Sequence, residues 1–208
     1  MHETSPPFRG RSAARPIIVK LGGSLMGSPR LALLLAALAR RGAPLVLVAG
    51  GGPLADGVRA LQPRMSLSDG ACHRMAILAM EQAAHAFADL APGLVLADSL
   101  PAIAHAHAQG HAALWLPARM ALAAAELPES WDLTSDSLAA WLAGQTDAAR
   151  LVLVKSAPAA PGSGPADWAT AGLVDPLFAS FAAAFGGAVD LVTPDTARAS
   201  LNEGARAA

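Results

Sequence analysis

Lysine is almost absent from this chain. Two lysines stand against thirteen arginines in 208 residues, and charged residues make up only 15% of the sequence. Tyrosine is missing altogether, aromatic residues reach 4%, and Cys72 is the single cysteine. One cysteine excludes an intrachain disulfide framework and fits a reducing cytoplasm. A net charge of −1 supplies no field to draw nucleic acid or an anionic membrane, so neither is expected as a partner. The composition is 53% hydrophobic, but alanine provides much of that. No uninterrupted apolar stretch approaches the ~20 residues of a membrane span. Residues 1–15 are polar and lack an apolar signal core; they read as a disordered arm, ahead of a single domain over 16–208.

What the chain does contain is alternation. Short Val/Leu/Ile-rich runs at 16–20, 44–49, 93–97, 112–116, 151–155 and 189–192 are continuous rather than alternating, as in strands covered on both faces. Alanine- and leucine-rich stretches near 28–41, 53–62, 69–91, 99–109, 118–126, 134–145 and 175–186 read as helices. Strand and helix in repetition predict an α/β fold, a three-layer αβα sandwich around a mainly parallel sheet. The long helix 69–91 suits either core burial or a dimer face. The Pro/Gly/Ser segment 156–165 is either a ligand loop or a surface insertion.

Against this background the two lysines stand out. Lys20 closes the run Pro16-Ile-Ile-Val-Lys20, and Lys155 closes Leu151-Val-Leu-Val-Lys155. Each occupies a strand end followed by a loop, where open α/β sheets hold their ligands. An ammonium is a compact charge on a flexible stem, suited to a moving phosphoryl group. Lys20-Leu-Gly-Gly-Ser24 places Gly22, Gly23 and Ser24 beside the first lysine, so that backbone amides are free to approach a phosphate. The order differs from a P-loop, in which lysine follows the glycines. Ala49-Gly-Gly-Gly-Pro53 gives a second turn free of side chains, Gly50, Gly51 and Gly52. It satisfies a loose dinucleotide fingerprint, but no strand precedes Asp69 at the required offset.

In Trp131-Asp-Leu-Thr-Ser-Asp-Ser-Leu-Ala139, Asp132, Thr134 or Ser135 is expected to cap a helix. Asp136 falls in its first turn, where a carboxylate can pair with lysines without attacking anything. Asp175, before Pro176, is either the N-cap of the following helix or a border of a nucleotide site. His73 lies near the start of the long helix and is a candidate for the site. His105, His107 and His111 lack an accompanying cysteine and do not share a helix face, so no metal ligand set is read from them.

The ordered set Lys20-Leu-Gly-Gly-Ser24, Ala49-Gly-Gly-Gly-Pro53, Thr134-Ser-Asp-Ser-Leu-Ala139, Lys155 and Gly172-Leu-Val-Asp-Pro176 resembles the amino acid kinase superfamily, which includes acetylglutamate, aspartate, uridylate and isopentenyl phosphate kinases. The short length and the segments 68–80 and 131–137 resemble the small aminomethylfuran phosphate kinases of methanofuran biosynthesis. The resemblance implies an ATP-dependent kinase, with ATP and Mg²⁺ towards the C-terminal half and a small-molecule phosphate monoester towards the N-terminal half. It implies that Lys20 and Lys155 contact phosphate and that Asp136 orients them. Gly22, Gly23, Ser24 and Asp175 then border ATP, while Gly50, Gly51, Gly52, Asp69 and His73 border the acceptor. A cytoplasmic homo-oligomer with no protein metal ligand is expected. Ser156-Ala-Pro-Ala-Ala-Pro departs from the usual nucleotide-site segment, which leaves room for altered nucleotide preference or a catalytically silent binding or oligomerisation subunit; a carboxylate or other phosphate-acceptor kinase of the same fold is the alternative among enzymes.

Overall fold

The computed structural model describes residues 15–42 and 44–203. Among these residues six strands form one sheet: β1 Ile17–Leu21, β2 Leu45–Ala49, β3 Leu94–Ala97, β4 Ala112–Trp115, β5 Arg150–Val154 and β6 Ala188–Val192. Their order is β3-β4-β2-β1-β5-β6 and every pairing is parallel. The expected mainly parallel sheet is thus parallel throughout. Parallel strands need crossovers, and the helices supply them: α1 Arg30–Arg41, α2 Gly52–Met65, α3 Asp69–Leu90, α4 Leu100–Ala108, α5 Ala118–Ala121, α6 Ser135–Gln145, α7 Pro165–Thr170, α8 Phe178–Phe185 and α9 Pro194–Glu203. A 3-10 turn spans Gly23–Gly27. No helix among the described residues is long and apolar enough to cross a membrane.

Alternation along the strands divides the core in two. Ile18, Val46, Val48, Trp115, Leu151 and Leu153 pack on one side with α6 and α8. Val19, Leu21, Leu45, Leu47, Val152 and Val154 pack on the other with α1 and α9. Helix α3 serves both: Ile77 and Met80 belong to the first cluster, Ala83 and Phe87 to the second. The alternative of core burial for this helix therefore holds for those side chains. Helix α6 is buried along almost its whole length, from Asp136 to Ala143, because it lies across β1 and β5.

Several element bounds differ from the expectations. The helix expected over 118–126 ends at Ala121. The chain then leaves helical geometry to bury Leu127 and Leu133 and to pair Glu129 with Arg74 at 2.8 Å. The helix expected from 175 begins at Phe178, because Asp175 is engaged elsewhere. Helices α7 and α9 were not anticipated, and Pro165 and Pro194 open them. The arm expected over 1–15 lies outside the described residues except for Arg15, which donates to the Asp147 carboxylate at 2.8 Å.

The two glycine turns are in backbone contact. Gly50 N–H donates to Leu21 O at 2.9 Å, and a Cβ on Gly23 would lie 2.4 Å from Gly52 N. Gly57, inside α2, has nothing within 4 Å of its Cβ position. Gly23→Ala is therefore expected to destabilise the protein by about 1–3 kcal/mol through overpacking. Gly57→Ala should stabilise it by about 0.5–1 kcal/mol by removing helix-interior glycine entropy. Thermal unfolding of both variants checks the opposite signs.

Candidate active site

The sheet order sets where a crevice opens. From β1 the chain steps to β2 on one side; after β4 it returns to place β5 on the other. Connections leaving β1 and β5 diverge, and the carboxyl ends of such a strand pair form the crevice in which open α/β folds bind ligands. Lys20 is the penultimate residue of β1, and Lys155 immediately follows β5. Lys20 alternates with Val19 and Leu21 and so shares the face of Ile18, beneath α6.

There the two lysines meet one carboxylate. Lys20 Nζ lies 2.6 Å from Asp136 Oδ1, and Lys155 Nζ donates to Asp136 Oδ2 at 2.7 Å. Lys20 is 2% exposed and Asp136 4%. Oδ1 is buried and takes no hydrogen bond of regular geometry, so Lys20 holds it by proximity of charge. Burial alone would push the Asp136 carboxyl up; the charges of Lys20 and Lys155, with the hydrogen bond from Lys155, overcome that and hold it below its ordinary value. Burial, and then the charge of Lys20, lower Lys155 from 10.5 to about 8, with Asp136 opposing them. One carboxylate cannot neutralise two ammonium groups, so the crevice keeps a net positive charge and an unmet demand for anion.

Asp175 explains why Asp136 is where it is. Its carboxylate accepts hydrogen bonds from Thr134 N–H (3.0 Å), Thr134 Oγ1 (2.8 Å), Ser137 N–H (3.0 Å) and the Ser137 hydroxyl. It caps the start of α6 from a distant part of the chain, and Thr134 makes no side-chain cap of its own. This corrects one reading: the Asp175 side chain caps α6 and not the helix that follows it; Asp175 does not line the cavity in front of the lysines.

In front of the lysines lies a cavity of about 580 Å³. Gly22, Gly23 and Ser24 line it, as do Gly51 and Gly52 at the start of α2. Ser24 Oγ donates to Ser156 Oγ at 3.3 Å, tying the first glycine turn to the segment after β5. Gly50 is buried beneath the turn and does not reach the cavity; a Cβ there would lie 2.7 Å from Gly23 N. Asp69 is likewise absent from the wall, because its carboxylate accepts from Gln62 Nε2 at 2.7 Å on the outer surface. His73 does line the cavity, with Ala76, Ile77 and Met80 continuing its stripe along α3. Burial lowers the His73 pKa, the Glu129 charge opposes this, Arg74 adds to it, and a hydrogen bond with the Ser130 backbone opposes it. No residue of 156–165 lines this cavity.

Sequence reasoning missed Arg59 and gave Trp131 no role, yet both line the wall. The signal was present. On a helix that starts at Gly52, positions 55, 56 and 59 repeat the facing of the glycine turn, and Ala55, Asp56 and Arg59 all line the cavity. Trp131 comes from the loop after α5, which pattern alone read partly as helix.

Comparison with known proteins gives the family and the fold. Residues 15–159 match the amino acid kinase family. The chain is 28% identical over 139 residues to the [5-(aminomethyl)furan-3-yl]methyl phosphate kinase of Methanocaldococcus jannaschii; the match spans 65% of this chain and 63% of that relative. Its fold is similar to the uridylate kinase of Archaeoglobus fulgidus (TM-score 0.63, 16% identity, 88% of this chain and 92% of that one). It is also similar to the UMP kinase of Bacillus anthracis (TM-score 0.64, 11% identity, 88% of each chain). The chain belongs to the amino acid kinase family.

Asp136→Asn would leave two ammonium groups in a nearly closed site without a counter-ion. Removing one partner from a buried ionic cluster costs about 3–5 kcal/mol. Thermal denaturation is expected to show that loss as a fall of about 6–20 °C; an unchanged midpoint would show that the cluster is solvated.

Proposed function

We propose that this protein is an ATP-dependent small-molecule kinase that transfers the γ-phosphoryl group to a phosphate monoester, and that the acceptor is [5-(aminomethyl)furan-3-yl]methyl phosphate. The observation that carries the reaction type is the pair of ammonium groups sharing Asp136 in front of two glycine turns. The finer acceptor reading is supported by the similarity to the furan phosphate kinase of Methanocaldococcus jannaschii. A cavity floor of Ala76, Ile77, Met80, Leu133 and Leu138 beside cationic groups suits a small apolar body that carries an anion.

Phosphoryl transfer has a loose transition state, so positioning and charge neutralisation dominate catalysis. An oxygen of the acceptor phosphate attacks Pγ of ATP. The new O–Pγ bond forms as the bond from Pγ to the β-bridging oxygen breaks, and ADP departs with that oxygen. The acceptor oxygen is already ionised at neutral pH, so no general base is needed. Asp136 is not one: both its oxygens face ammonium groups, and its carboxyl is held in the ionised form. It keeps the two lysines converged while Lys20 and Lys155 neutralise charge on the transferring group. The Gly22–Gly23 turn lets the phosphate chain approach the backbone closely.

Because the Asp136 oxygens are committed, they are not free to hold a resident magnesium ion. Among the described residues no cluster of three His, Cys, Asp or Glu side chains is present. A magnesium ion arriving with the nucleotide would supply positive charge to offset that of the phosphates.

Incubation with Mg-ATP and the furan phosphate, followed by phosphorus NMR, is expected to give ADP and a diphosphate ester. Absence of turnover by folded protein would count against the assignment. Lys20→Ala and Lys155→Ala should each lower kcat by about 10²–10³-fold, the range for loss of one preorganised transition-state donor. The pH profile gives a separate check. Lys155 titrates at about 8 in the free protein, so kcat/KM for ATP should be level below that value and fall as the ammonium deprotonates above it. The sign for stability is the reverse. Between about 8 and 10.5 the unfolded chain binds more protons at this residue, so its contribution to stability rises with pH there and is flat below.

A further inference from the structure

The cavity wall contains a third cation that the transfer step does not use. Arg59 lies on α2, seven residues beyond Gly52 and so about 10 Å further along the helix axis. Its guanidinium carbon sits 4.4 Å from the centre of the Trp131 ring. Such stacking holds a planar cation against a surface while leaving its in-plane donors available.

Trp131 is itself fixed. Its Nε1–H donates to Gln62 Oε1 at 2.6 Å, and Gln62 Nε2 donates in turn to Asp69 Oδ1 at 2.7 Å. A chain of contacts therefore runs Asp69–Gln62–Trp131–Arg59, joining the first turn of α3, the last turns of α2 and the loop before α6. Among the described residues, the one hydrogen bond that Arg59 makes goes from Nη1 to Asp56 Oδ1 at 3.1 Å. That pair is i,i+3 on one helix and about half or more exposed on both sides, so solvent screens it. The Nε and Nη2 donors of Arg59 remain for a ligand, in the fork geometry that matches a phosphate or carboxylate.

We propose that Arg59 grips the anionic group of the acceptor, and that Trp131 and Gln62 are positioning residues that keep its guanidinium at the cavity wall. The phosphate-monoester identity of that group rests on the function proposed above. The role follows from charge placement. Lys20 and Lys155 share a carboxylate at the strand ends and face the transferring group, whereas Arg59 is, among the described residues, the one further Lys or Arg on the wall. An acceptor that already bears phosphate is repelled by ATP, and a bidentate guanidinium offsets that repulsion without competing for the two lysines. Asp69, expected to touch the acceptor, acts in this scheme through Gln62 instead.

Steady-state kinetics on the full chain with the furan phosphate tests the assignment. Arg59→Ala is expected to raise the acceptor KM by about 30-fold, the range for loss of a charged hydrogen bond, with the ATP KM changed less than about twofold. Arg59→Lys should recover part of the loss, because it restores charge but not the fork. Gln62→Ala and Trp131→Phe should raise the acceptor KM about threefold to tenfold, the scale of freeing one ordered side chain, with kcat held. Equal rises in both KM values, or an unchanged acceptor KM in Arg59→Ala, would overturn the proposal.

Titration calorimetry with phenyl phosphate separates this proposal from the kinase reading. If the wild type turns over no phosphate monoester, that reading falls. Phenyl phosphate binding that weakens about 30-fold in Arg59→Ala then still supports the Arg59 assignment. Binding that is absent in the wild type, or equal in the variant, ends it.

Discussion

Asp136 divides its two oxygens between two ammonium groups, one almost completely buried. The cluster carries one more positive charge than negative, and burial amplifies the imbalance because little water is present to screen it. Two consequences follow from the same excess. Lys155 is held near the point of losing its proton in the free protein, and the crevice attracts anions that would restore it. The fold tolerates this because Asp136 is fixed from behind: four donors at the start of α6 converge on Asp175 and set the first turn of that helix over the ends of β1 and β5. A site that is unstable by charge is thus made rigid by hydrogen bonds.

The sheet order supplies the other half of the arrangement. The crossovers leave β1 and β5 in opposite directions, so a crevice opens at their carboxyl ends beside the first turn of α6. The glycine turns keep that space free of side chains. Gly23, Gly50 and Gly52 lie so close that a methyl group on any of them would collide with backbone or with Met26, so close packing of the turns and the absence of side chains there come from one cause. Beyond the turns, the wall is built from single faces of α2 and α3 and from one loop. The end of the cavity proposed to hold the acceptor therefore joins two consecutive helices, α2 and α3, to a loop much later in the chain.

Much of the fold was legible because parallel strands, buried on both faces, leave continuous apolar runs. All six strands fall within one or two residues of the positions read from those runs. Helix bounds were less legible where tertiary contacts override propensity. The stretch 122–126 is rich in alanine, yet it unwinds because the chain must return to bury Leu127 and Leu133 and to deliver Trp131 to Gln62. Helices α7 and α9 escaped notice because α7 is only six residues long beside a Pro/Gly-rich loop and α9 mixes polar residues with only a few core contacts.

Within the site, strand ends and glycine turns carry their own marks. The scarcity of lysine made Lys20 and Lys155 conspicuous, and Asp136 could be assigned to a first helical turn from capping residues alone. Local sequence therefore established which groups were available and on which elements they lay, since strand, turn and cap depend on near neighbours. Partnership was decided by packing. That Asp175 serves α6 rather than its own helix, that Asp69 braces Gln62, and that Arg59 lies on Trp131 all depend on contacts spanning 7 to 72 residues. No local pattern encodes such distances; they exist only once the sheet has closed the chain upon itself.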